Sequence, residues 1–342
     1  MAAIARVRWH VTRDAVIEDK EITWKVLDIP VYGTITAPKD KEPRSAVIFV
    51  AGSGPTDRNW CSPLLPGANG SARLLAEALA SQGFLTLRYD KLASGPHAKE
   101  NLPKFSGKLC MQSHMDELAG AVETLVSEKN ADEDNLFVLT NSEGAIHAVN
   151  YQLHAKIKRF KGLVLTGAPG RAIGEVSRSQ IFNQAKSLPN AEILMKHYDE
   201  AIADFLASKP IVIDPSLPEA MRPLLRSLEN PTNLPFSREL WAYSLPEYIA
   251  RVSEPKLVVI GKKDIQIDWK IDGGALENVT ALNTGAMFAY PENANHVLKH
   301  EEKPVEKLTA EYVSLHYNAP DAELDQEAAN DTFNWLNERA SN

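Results

Sequence analysis

The sequence predicts an α/β protein built on a mostly parallel central sheet with helices on both faces. Apolar runs of strand length, such as Ala46-Val47-Ile48-Phe49-Val50, lack polar alternation, as strands buried on both faces do. Segments with helical spacing separate those runs, as crossovers between parallel strands require. A serine, a histidine, carboxylates and glycines collect just beyond the carboxyl ends of the runs, where open α/β sheets bind ligands.

Residues Ile4-Ala5-Arg6-Val7-Arg8-Trp9 and Ile29 to Pro38 alternate in the manner of an antiparallel lead-in sheet. The buried strand at 46–50 follows, then a helix from Ala72 to Gln82 stopped by Gly83. Phe84 to Tyr89 is the next strand. His114 to Lys129 has helical spacing, with Leu118, Ala121, Val122 and Leu125 on one face. Strand 135–139, a helix after Ser142 and strand 163–166 continue the series. From about Pro169 to Leu245 the alternation stops. Helical segments near 176–188, 191–207, 217–228 and 237–243 are broken by prolines, which predicts an inserted helical cap. Strands at 255–261 and 286–290 resume the sheet, and a helix from Asp325 to Arg339 closes the chain. The expected division is therefore a core of residues 1–168 and 246–342 with a cap of residues 169–245.

A length of 342 residues suits one large domain with an insertion. The net charge of −8 disfavours a nucleic-acid surface, so no nucleic-acid partner is expected. No apolar run reaches spanning length, and the start Met1-Ala2-Ala3-Ile4-Ala5-Arg6 lacks the apolar core of a secretion signal. No membrane partner is expected, and the default location is cytoplasmic. Cys61 and Cys110 have no metal-ligand spacing, and no phosphate loop follows a strand, so no metal or cofactor is expected.

Thr140-Asn141-Ser142-Glu143-Gly144 lies between an apolar strand and a helix. A serine at such a turn, with small residues beside it, reads as a nucleophile elbow; the competing reading is a serine capping an ordinary helix. Two later strand ends decide between them. One precedes Lys262-Lys263-Asp264-Ile265-Gln266-Ile267-Asp268, the other Pro291-Glu292-Asn293-Ala294-Asn295-His296. Serine, carboxylate and histidine thus follow in the chain order of an α/β-hydrolase triad. The chemistry needs all three, because a serine hydroxyl attacks only when an imidazole takes its proton, and a carboxylate holds that imidazole's tautomer. Position after a strand separates His296 from His97, His114 and His147; His300 is expected on a following helix.

The chain resembles serine hydrolases of the α/β-hydrolase superfamily, in the esterase and serine-aminopeptidase-like branch. Val50 to Arg58, with its Gly52-Ser53-Gly54-Pro55, is similar to that branch's oxyanion loop. Arg88-Tyr89-Asp90-Lys91 is similar to the segment after its fourth core strand, and the loops holding Asp264 and His296 to its acid and base segments. Thr140 departs from the usual first elbow glycine. The resemblance implies Ser142 as nucleophile, Asp264 as acid and His296 as base, with Asp268 the rival acid. It implies oxyanion donors at the backbone of Glu143 and Ser53. Asp57, Arg58 and Asp90 are expected to brace these loops by ion pairing.

The expected activity is hydrolysis of a small-molecule carboxylic ester, lactones included, through an acyl-serine. Thioesterase or serine aminopeptidase activity would use the same triad, and a non-catalytic ligand-binding role is the reading from another class. Met195, Phe205, Leu224, Leu225, Trp241 and Tyr243 are candidates to line a pocket under the cap. Glu200, Asp204 and Glu239 are candidates to capture a substrate amine.

Overall fold

A computed structural model describes residues 16–39, 42, 45–129, 131–219, 221–282 and 285–340. The expected strand at Ile4–Trp9 lies outside these residues. Among the described residues, a lead-in hairpin is formed by β1 (Ile17–Val26) and the expected strand β2 (Ile29–Pro38), paired antiparallel. Leu27 and Asp28 turn the chain with φ of 53° and 60°, the left-handed pair that a two-residue hairpin uses. β1 escapes a hydrophobic-pattern search because Glu18-Asp19-Lys20-Glu21 interrupts it. It is an edge strand, where charges are tolerated and discourage edge-to-edge pairing.

The chain then runs through β3 (Ser45–Val50), α1 (Ser71–Ser81), β4 (Phe84–Tyr89), α2 (Ala98–Phe105) and α3 (Met111–Val126). It continues through β5 (Leu136–Asn141), α4 (Gly144–His154) and β6 (Gly162–Thr166). Five helices follow: α5 (Ile173–Ala185), α6 (Ala191–Leu206), α7 (Arg222–Leu228), α8 (Phe236–Trp241) and α9 (Leu245–Ile249). The last part holds β7 (Lys256–Val259), α10 (Gly274–Thr280), β8 (Ala286–Ala289), α11 (Ala310–His316) and α12 (Gln326–Ala340). The eight strands form one sheet in the order β1-β2-β4-β3-β5-β6-β7-β8, parallel from β4 through β8.

Alternate residues of each central strand serve different layers. Ile48 and Val50 face the side covered by α3 and α4, with Leu118, Val122 and Ile146. Val47 and Phe49 face the side covered by α1 and α12, with Leu75, Leu79 and Phe333. Burial on both faces removes the polar alternation from the central strands.

The helices between β6 and β7 have an apolar core of their own, which includes Met195, Phe205, Leu225 and Trp241, with Leu224 packed against it. Tyr243 stacks on Tyr248 at 4.4 Å. These candidates for a pocket lining thus take part in packing, and Met195 also borders a groove. The groove, of about 660 Å³, lies between α5 and α6 and is lined by Phe182, Met195 and Ala203 among charged side chains.

Candidate active site

Ser142 sits between the end of β5 and the start of α4 with φ of 55°. A non-glycine residue is held in this conformation only when its surroundings over-determine it, and such residues cluster at functional sites. Its N–H donates to the Thr166 carbonyl at 2.8 Å, which ties the turn to the end of β6. A Cβ at Gly144 would lie 2.5 Å from the Val50 carbonyl oxygen, so the helix can pass β3 this closely only with glycine there. Thr140 is accommodated within the sheet, its hydroxyl directed at the Val164 carbonyl at 3.3 Å. α4 has no side-chain cap bond, so Ser142 is not a helix cap.

His296 Nδ1 and Asp264 Oδ2 lie 2.7 Å apart, and both side chains are buried. The other oxygen of Asp264 accepts the N–H groups of Gln266 at 2.7 Å and Ile267 at 3.0 Å. These bonds fix the carboxylate, which in turn fixes the ring and leaves Nε2 as the nitrogen available to a serine. Asp268 is exposed and caps the following turn, accepting from the N–H groups of Lys270 and Ile271, and does not take the acid position.

Two contacts bring the histidine to the elbow. Asn141 donates from its side chain to the His296 carbonyl at 2.9 Å. Gly167, just past Thr166, lies so close that a Cβ on it would be 3.1 Å from His296 Nδ1. Neither contact is visible as a motif, because each depends on which strand ends are neighbours. His300 is not helical. It forms an antiparallel bridge with Ala294 and meets Asp325 Oδ2 through Nδ1 at 2.9 Å.

The loop that follows β3 lies over the elbow. A Cβ on Gly52 would stand 3.1 Å from the Ser142 Cβ. Ser53 is exposed, its carbonyl accepts the Thr56 hydroxyl at 2.8 Å, and Gly54 turns the loop with φ of 71°. Arg58 grips Asp90 through two side-chain bonds of 3.0 and 2.7 Å, the expected brace. Asp57 braces the loop differently from expectation. Its carboxylate accepts the N–H groups of Asn59 and Cys61, both at 2.9 Å.

A buried polar cluster beneath the loop escapes sequence reasoning. Lys91 Nζ donates to the Gly52 carbonyl and lies 3.7 Å from Glu143 Oε1. Glu143 also meets His147 Nε2 at 3.0 Å; the His147 ring lies 4.5 Å from that of His114, which meets Glu117 at 2.8 Å. Burial acts to raise the Glu143 carboxyl, but Lys91 and the His147 bond outweigh it and hold Glu143 well below the usual range. Burial, then the neighbouring His114, lowers His147 to about 4. Only the Glu143-to-His147 spacing, one helical turn, hints at this cluster in the sequence.

No family model matches the chain. A stretch of 165 residues is 30% identical to esterase EstD of Thermotoga maritima, covering 48% of this chain and 35% of that one. The chain thus spans about a third of the length of this relative. Among solved structures, the Pyrococcus furiosus esterase Pf2001 is similar with a TM-score of 0.51 at 16% identity, over 82% of this chain and 83% of the esterase. An acylaminoacyl peptidase of Pyrococcus horikoshii is similar with a TM-score of 0.51 at 16% identity, over 82% of this chain and 38% of the peptidase. The chain has the α/β-hydrolase fold.

In this fold, Ser142, Asp264 and His296 all follow strand ends on the carboxyl edge of the sheet. Among the described residues, no group of three or more His, Cys, Asp or Glu is arranged to hold a metal ion, and no helix is long and apolar enough to cross a membrane.

Proposed function

We propose that the chain is a serine hydrolase that cleaves a small-molecule carboxylic ester through an acyl-serine intermediate. The buried Asp264–His296 pair, tied to the Ser142 elbow through Asn141 and Gly167, carries this reading. His296 Nε2 takes the Ser142 proton as the hydroxyl attacks the ester carbonyl, and Asp264 stabilises the resulting imidazolium. The N–H groups of Glu143 and Ser53 receive the developing oxyanion. Proton return from His296 expels the alcohol, and a water activated by the same nitrogen then releases the acid.

Residues 169–245 are read as a cap beside this site. Phe236 of α8 packs edge-on against His114 at 4.4 Å, joining the cap to the floor of the elbow. The ester reading is preferred over aminopeptidase because the cap carboxylates have other partners. Glu200 and Asp204 lie within 4 Å of Lys196 and Lys209, and Glu239 accepts the Met111 N–H at 2.6 Å.

A fluorophosphonate probe, which reacts with activated serines, is expected to add one label per chain, at Ser142, with p-nitrophenyl acetate hydrolysis lost in step. Labelling at another residue, or esterase activity that survives complete labelling, would refute the assignment.

A further inference from the structure

We infer that Lys91 is a positioning residue of the oxyanion hole, pinning and polarising the peptide that joins Gly52 to Ser53. Its Nζ donates to the Gly52 carbonyl, and that oxygen belongs to the same peptide unit as the Ser53 N–H. A trans peptide points its C=O and N–H in opposite directions, and the cis bond recorded among the described residues lies elsewhere, at Leu234-Pro235. With the carbonyl drawn down to a side chain only 4% exposed, the N–H faces the exposed side of the loop, where the substrate carbonyl must sit. A cation on the carbonyl also enlarges the peptide dipole, so the N–H becomes a stronger donor when charge develops on the substrate.

The same ammonium lies 3.7 Å from the side chain of Glu143, whose backbone supplies the other donor. One buried cation therefore joins the two residues that form the hole. It does so from just past the end of β4, whereas the loop follows β3 and the elbow follows β5, so the three neighbouring strand ends are joined. Water cannot replace the bond, because Lys91 and Glu143 are both buried.

This inference rests on the proposed acyl-transfer reading, and the test separates the two. Lys91→Met removes the cation but strands the Glu143 carboxylate, so the double variant Lys91→Met/Glu143→Gln is made beside it. Both are assayed with p-nitrophenyl acetate and with a trifluoromethyl ketone, which adds to the serine and places an oxyanion in the hole. Loss of a direct oxyanion donor costs about 100- to 1,000-fold in kcat, and an effect relayed through one peptide should be smaller. The expected result for the folded double variant is a kcat lower by about 10- to 100-fold, with KM within about threefold of the parent. Ketone inhibition should weaken by the same factor as kcat. A double variant with parental kcat and ketone affinity would overturn the inference while leaving the triad reading intact. So would a loss seen in the single variant and restored in the double, which would trace it to the stranded carboxylate. A parent protein that neither turns over esters nor binds the ketone would overturn both.

Discussion

Asp264→Asn should lower kcat for a p-nitrophenyl ester by about 10,000-fold while leaving the fold and KM nearly unchanged. The size follows from how the carboxylate is held. One oxygen accepts the N–H groups of Gln266 and Ile267, and the other meets His296 Nδ1. In the amide variant those backbone donors keep the carbonyl oxygen on their side and turn the NH2 toward the imidazole. Nδ1 must then accept, so the proton moves to Nε2, the nitrogen that has to take the serine proton. Geometry survives and the tautomer is wrong. Steady-state kinetics with circular dichroism on the same samples measures this; a loss below about tenfold would show that Asp264 does not set the tautomer.

Asp272→Ala should destabilise the fold more than any surface change, by about 3–5 kcal/mol. The carboxylate is fully buried and accepts four bonds: from the Gly170 N–H at 3.0 Å, Arg171 Nε at 3.0 Å, the Arg171 guanidinium again at 2.8 Å and the Asp268 N–H at 3.0 Å. It clamps the chain leaving β6 to the loop that carries Asp264. Removing it strands a partly buried cation and two backbone donors. Urea unfolding of parent and variant gives the difference; a change under 1 kcal/mol would mean that solvent satisfies these groups in its place.

The features most legible in the sequence are those that burial on both faces makes obligatory. β3 and β5 through β7 are dominated by apolar runs, and Ser142, Asp264 and His296 lie in the segments that follow β5, β7 and β8. Features set by one-sided burial or by tertiary neighbours are not legible. β1 is hidden by its own charges, because only part of one face is covered. The apolar stripes of α6 and α8 look alike whether they line a pocket or pack on each other; here Trp241 packs in the core of these helices, and Met195 both packs there and borders the groove. Asn141, Lys91 and Gly167 gain their contacts from strand order, which places β3, β4 and β6 beside the elbow and leaves no local pattern. Asp57 reads as an ion-pair partner of Arg58 by type and proximity, yet its own turn offers two N–H groups nearer than the guanidinium.

The central claim is that Ser142 and His296 act as one unit, and a mutant cycle tests it most directly. Ester kcat/KM is measured for the parent, Ser142→Ala, His296→Ala and the double variant. Residues that work only together are non-additive, so each single change should cost about 10,000-fold or more and the double change no more than either alone. Activity surviving in His296→Ala, or losses that multiply in the double variant, would contradict it.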